Sequence, residues 1–187
     1  MKKYEFTGET KQVGFFGNIT LKRIRATMEF GIIKIGDLGG WIEKEENLSH
    51  KGDAWVYGNA EVWGNAKVYG DAEVWGDAEV WGNAKVYGNA EVYGDAWVYG
   101  NAEVYGDAKV FSISHVLVVG PIGSRNDFTT FFRDKDSEIT VKCGCFLGKI
   151  DKFLEKVCET HGDSKYAIVY RTAAEIAKQQ IDLSEEN

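Results

Sequence analysis

GDAWVYGNAEVWGNAKVYGDAEVW (52–75) opens an unbroken run that closes with GNAEVYGDAKVF (100–111): ten head-to-tail copies of the phrase Gly-[Asn/Asp]-Ala-x-Val-aromatic, with no insertion or skip. Within each phrase the Ala and the Val are two apart, so in a strand both point to one face. The residue between them points to the other. It is Glu or Lys in most copies, and Trp at Trp55 and Trp97. The Gly-Asn or Gly-Asp pair breaks the strand every six residues, because Gly takes positive φ freely and Asn and Asp tolerate it better than most. Short strands with corners at a fixed period bury a narrow apolar row by coiling into a parallel β-helix, each strand pairing with the next coil.

The phrase resembles the hexapeptide repeat of left-handed β-helices, in which an aliphatic and a small residue line the interior. That resemblance implies three hexads, eighteen residues, per triangular coil. It speaks to fold more than to function, since the same helix carries acyltransferases, inactive scaffolds and binding proteins. The period fades at its edges. ENLSHK (46–51) offers Leu48 and His50 to the inward slots, SISHVL (112–117) offers Ser114 and Val116, and VVGPIG (118–123) offers Gly120 and Ile122. A solenoid over 46–123 is expected, about four coils and on the order of 20 Å tall at ~4.8 Å per coil. Its two open ends need covers.

The flanks read as those covers. Residues 1–45 predict an irregular β cap with a degenerate first coil, in which GIIKIGDLGGWI (31–42) buries Ile32, Ile35, Leu38 and Ile42. Lys22, Arg23 and Arg25 form a basic cluster on a short strand, a solvated face or an anion-binding one. Residues 124–187 predict a small ββαα domain. FTTFFR (128–133) and ITVKCGCF (139–146) are its strands. KIDKFLEKVCET (149–160) is an amphipathic helix stopped by Gly162, and residues 164–181 form a second one. The expected class is therefore mainly β: a single-stranded left-handed parallel β-helix with a C-terminal α+β domain.

Hydrophobic residues make up 44% of the 187, a globular proportion. No apolar run approaches the ~20 residues of a membrane span, and MKKYEFTGET does not read as a signal peptide. Three cysteines do not make a disulfide framework, so a reducing cytoplasmic setting is expected. The net charge is −7, and residues 52–111 alone hold ten acids against three lysines. An acidic rod disfavours nucleic acid as its ligand.

Acyltransferases built on this helix use a histidine as general base at an intersubunit cleft. The ten hexads contain no His, Ser, Thr or Cys. His115 falls in an outward slot and is the one histidine placed as such a base should be. Cys143 and Cys145 on a strand, with Cys158 and His161 on the following helix, have the donors for a Cys3His zinc site, against the alternative of free thiols. Otherwise no cofactor is expected. The aromatic residues are the stronger clue. Eighteen-residue coils stack Tyr57, Trp75, Tyr93 and Phe111 at one corner, Trp63, Trp81 and Tyr99 at the second, and Tyr69, Tyr87 and Tyr105 at the third. Stacked rings stabilise the coils by about 0.5–1.5 kcal/mol per pair beyond burial. Three corners cannot all be buried in a lone prism, so an exposed strip, with Trp55 and Trp97 beside it, reads as an interface, most simply a homotrimer.

The order of parts, DLGGWIEKEENLSH (37–50), the hexads, then CGCFLGKIDKFLEKV (143–157), is similar to a group of hexapeptide-repeat proteins common in bacteriophages and prophages. The resemblance implies a cytosolic accessory protein that binds a host protein or a small nucleotide-like ligand. Three functions follow: a non-enzymatic oligomeric binding or scaffold protein, which the missing catalytic pairs favour; an acyl- or nucleotidyl-transferase with His115 as base; and a self-assembling filament.

Overall fold

A computed structural model describes residues 2–14 and 16–184; Met1, Phe15 and the last residues of the expected C-terminal domain, 185–187, lie outside the description. The chain begins with β1 (Tyr4–Val13), β2 (Ile19–Ala26) and β3 (Leu38–Ile42). Ten short strands follow: β4 (Trp55–Val56), β5 (Glu61–Val62), β6 (Lys67–Val68), β7 (Glu73–Val74), β8 (Glu79–Val80), β9 (Lys85–Gly88), β10 (Glu91–Val92), β11 (Trp97–Val98), β12 (Glu103–Gly106) and β13 (Lys109–Val110). The chain ends with β14 (Val116–Ile122), β15 (Asp127–Arg133), β16 (Ile139–Cys143), β17 (Phe146–Lys149), α1 (Ile150–His161) and α2 (Lys165–Gln180).

The hexads coil as expected. Strands eighteen residues apart pair in parallel, Val62 with Val80 and Val74 with Val92. They make three faces, β3-β5-β8-β11, β4-β7-β10-β13 and β6-β9-β12, about four coils in all. Each coil donates N–H groups to carbonyls of the next, Trp55 to Ala72 at 3.0 Å and Glu73 to Ala90 at 2.9 Å. Every Ala and Val of the hexads is exposed by 2% or less, so one apolar row fills the axis. Gly marks the corners for a steric reason: Gly70 has φ +73°, and a Cβ there would sit 3.0 Å from the Gly88 nitrogen of the coil above. The first coil is degenerate as read, but shifted. Ile42 pairs with Val62, twenty residues on, and Leu48 bridges to Val68, so two extra residues lie between Leu48 and Val56. Of the four residues expected under this cap only Ile42 is buried; Ile32, Ile35 and Leu38 are exposed, and Ile33 takes the inward place.

The two ends are closed by different segments. The N-terminal edge of the prism presents backbone groups of the first coils, carbonyls among them. On one face β2 and β1 cover it as further strands. On a second, the buried Asn47 amide donates to Gly64 O at 3.2 Å and Ala66 O at 2.8 Å. On the third, the buried Lys3 ammonium donates to Gly52 O at 3.2 Å and Ala54 O at 2.5 Å and lies over the Phe30 ring. At the C-terminal edge Thr130 Oγ1 takes the Glu103 N–H at 3.0 Å, His115 Nδ1 takes that of Phe111 at 3.3 Å, and Asp107 O accepts from the Lys135 N–H at 3.0 Å. Each of these bonds satisfies a backbone group that a free-standing solenoid leaves open.

The solenoid stops at Val110, short of the expected 123. SISHVL and VVGPIG are not fading hexads: Ile113–His115 is one 3-10 turn, and β14 leaves the coil to pair antiparallel with β15. The tail is thus a four-stranded antiparallel sheet, β14-β15-β16-β17, carrying two helices. One face of the sheet puts Phe132, Val116 and Val118 on the last coil, and the other packs Phe131 and Val141 against Phe153 and Tyr170 of the helices. The helices themselves fall where their periodicity predicts. Gly162 at φ +55° ends α1, and the Ser164 side chain caps α2 by accepting from the Ala167 N–H.

Burial of the Lys3 ammonium lowers its pKa to about 8, the charges of Asp53 and Asp71 opposing only part of that shift. The unfolded chain holds this proton up to about 10.5, so between pH 8 and 10 it binds more protons than the fold. Stability conferred at this site therefore rises with pH across that window, by up to about 1.4 kcal/mol per unit, and is lost as pH falls through 8. Urea unfolding of the protein and a Lys3→Met variant from pH 7 to 10 checks this: the rise is expected in the first and not in the second.

Candidate functional site

The aromatic columns form as the eighteen-residue coil requires, except that Tyr57 is not stacked on Trp75 and instead donates its hydroxyl to Glu73 at 2.9 Å. Trp63 stacks on Trp81 at 5.2 Å with planes 3° apart, and Trp81 on Tyr99 at 4.9 Å. Tyr69, Tyr87 and Tyr105 follow at 4.7 and 4.2 Å, and Trp75, Tyr93 and Phe111 at 4.2 and 5.3 Å. Their ends differ. Phe111 is covered by the Arg133 guanidinium at 4.8 Å and by the His115 ring at 4.2 Å. Tyr105 shares a small cavity with Leu147 of the C-terminal sheet. The Trp63 column instead runs into the open, with Tyr99 50% exposed.

Trp97, 43% exposed, lies edge-on to Trp81 at 5.6 Å and widens that strip. Both Trp97 and Tyr99 sit on or just after β11, the outer strand of a six-stranded sheet. In the coil below, Glu79 and Trp81 donate their N–H groups to Ala96 and Val98. Among the described residues no strand pairs with the outer edge of β11 to accept from Trp97 and Tyr99. A groove of about 220 Å³ runs beside this edge, walled by Val116, Leu117, Val118 and Phe128. An unpaired strand edge flanked by exposed aromatic rings has the chemistry of an interface.

The other expected binding residues are placed differently. Trp55 is not outward: it is fully buried, under Phe30 at 5.3 Å and Tyr4 at 6.2 Å, because the N-terminal cap folds over the first coil. Trp75 remains exposed on a neighbouring corner. Arg25 pairs with Glu5 at 2.5 Å, and Arg23 with Glu9 at 3.3 Å while lying over Trp41. Lys22 lies over the Phe6 ring at 5.1 Å, so the cluster is built into the cap with its two arginines paired to carboxylates of β1.

His115 is 1% exposed, a correction to its outward placement. The hexad frame ends at Phe111, and the 3-10 turn that follows rotates the ring inward to cap the last coil. Of the zinc candidates, Cys143, Cys145 and His161 line one cavity, while Cys158 is exposed on α1 and outside that lining. Among the described residues, the donor atoms that gather within 4.8 Å are those of Asp134, Asp136 and Glu138, not the thiols. Lys149 Nζ already sits among these carboxylates, at 2.7, 3.3 and 2.6 Å. Burial works against that ammonium, but the carboxylate bonds outweigh it and raise its pKa. Among the described residues no helix is long and apolar enough to cross a membrane.

No protein-family model matches the chain. A stretch of 62 residues is 32% identical to a protein of Escherichia coli (strain K12) described as the uncharacterized acetyltransferase YdcK, covering 30% of this chain. The chain spans about a fifth of that protein's length, 19%. This weak likeness and the solenoid both fit a hexapeptide-repeat protein.

Proposed function

We propose that this chain is a non-enzymatic binding scaffold that works as a homotrimer, assembled through the aromatic edge of Trp63, Trp81, Trp97 and Tyr99. The observation that carries the reading is the exposed pair Trp97 and Tyr99 at the end of a stacked column, on a strand whose outer edge is paired with no other strand among the described residues. A straight apolar strip along a prism edge packs against equal strips about a threefold axis, burying large rings at low entropic cost. The opposed caps at the two solenoid ends disfavour growth into a filament. The resemblance to phage proteins makes the target of such a scaffold a host protein or a small nucleotide-like ligand.

Sedimentation velocity of a Trp97→Ala/Tyr99→Ala variant tests the assembly. The expected result is a trimer for the parent chain and a monomer for the variant, with unchanged circular dichroism. An unchanged sedimentation coefficient would remove the proposed interface. The likeness to YdcK favours a second reading, acyl transfer to an acceptor substrate. A buried His115 is poorly placed for it, since a base must reach the proton it takes. Acetyl-CoA turnover lost in a folded His115→Gln variant, yet retained in the Trp97/Tyr99 variant, would put transfer first.

A further inference from the structure

The C-terminal domain carries an open cavity, of about 460 Å³, that the assembly does not use. It lies between the turn of the β16–β17 hairpin, α1 and α2. Its body is aromatic: Phe146 is 5.5 Å and Tyr170 5.7 Å from Phe153, and the His161 ring stacks on Tyr170 at 5.7 Å. Its charged lining is wholly basic, Arg125 and Lys156, with no carboxylate among the lining residues. In a chain of net charge −7 that is a local inversion of sign. Lys156 has a partner in Glu159 at 3.0 Å. Arg125 has no carboxylate within ion-pair distance among the described residues.

Two glycines make room for the polar groups. At Gly123, φ +72°, a Cβ would lie 1.9 Å from the Tyr170 hydroxyl, so only glycine admits the phenol. At Gly144, φ +56°, a Cβ would lie 2.5 Å from Arg125 Nη1, so the guanidinium rests directly on the hairpin turn. Burial, and then the Cys143 thiol beside it, raise the Tyr170 pKa to about 12. The Cys143 sulfur accepts from Thr129 Oγ1 at 3.2 Å, which ties that thiol into the sheet. An apolar body with a few convergent polar groups and one unpaired guanidinium is the form of a small-molecule site.

From this arrangement we infer that the cavity binds a small carboxylate with an apolar body, its carboxylate on Arg125 and its chain or ring against Phe146, Phe153 and Tyr170. The inference is independent of the trimer. The test uses the full chain and two probes, octanoate and uncharged octanol, followed by amide chemical-shift titration. Octanoate is expected to saturate, moving the amides of Arg125, Gly144, Cys145 and His161. Arg125→Ala, a change at an exposed side chain that leaves the fold intact, is expected to weaken octanoate at least tenfold. Octanol is expected to bind at least tenfold more weakly than octanoate to the parent chain. Equal affinity for the two probes, indifference of octanoate to Arg125→Ala, or shifts that do not saturate would each overturn the inference.

Discussion

Trp55→Ala is expected to destabilise the protein by about 3–5 kcal/mol, the range for emptying a buried tryptophan site. Trp97→Ala is expected to change the stability of the single chain by less than about 1 kcal/mol, its main effect falling on assembly. The two tryptophans occupy the same position of the same hexapeptide, GDAWVY at 52–57 and at 94–99. Their environments are opposite. Trp55 is fully buried beneath Phe30 and Tyr4, whereas Trp97 is 43% exposed. The Trp55 indole N–H has no hydrogen-bond partner among the described residues, a cost its packing must exceed. Trp55→Phe should therefore fall well short of the alanine loss, since it keeps much of the packing and removes the orphan donor. Urea unfolding of the three variants checks the order. Equal losses at Trp55 and Trp97 would mean that the cap does not close over the first coil.

Asn47→Ala is expected to cost about 3 kcal/mol, because it removes the donor for two buried carbonyls, Gly64 O and Ala66 O, and the acceptor for the Lys44 N–H. No neighbouring coil stands ready to replace them. Asn47→Asp should approach the same loss: it keeps the acceptor, but turns the donor end into a second acceptor facing carbonyls. Hydrogen exchange gives the local readout. Faster exchange is expected first in β3 and β4 and the loop between them, while β9 and β10 in the middle of the prism keep their protection. Uniform acceleration along the solenoid would contradict a role confined to the end.

What could be read from the residues follows from how local each cause is. A six-residue period over 52–111 determines strand, corner and coil by itself, and the structure has all three there. The helices α1 and α2 were legible for the same reason, with their caps at Gly162 and Ser164. The ends were not. His115 and Val116 can be given hexad slots, but their places are set by β15 arriving across the last coil, a pairing between distant segments. Trp55 was unreadable because burial comes from Tyr4 and Phe30, outside the repeat. Lys3, Asn47 and Thr130 gave no signal as caps; each is a single polar residue whose partner is another segment's backbone. Arg125 and Tyr170 were missed for a similar reason: the cavity joins a loop, a hairpin turn and two helices. The binding candidates Trp63, Trp81, Trp97 and Tyr99 were brought together because they belong to the repeat itself.

The central claim is that the edge bearing Trp97 and Tyr99 holds copies of this chain together. Native mass spectrometry of the purified protein tests it most directly, since one spectrum gives subunit number without labels. The account predicts an assembly of three chains, each of 20.9 kDa, that becomes more abundant as salt in the starting solution screens the acidic rods. A single chain of 20.9 kDa at every concentration and salt would contradict it.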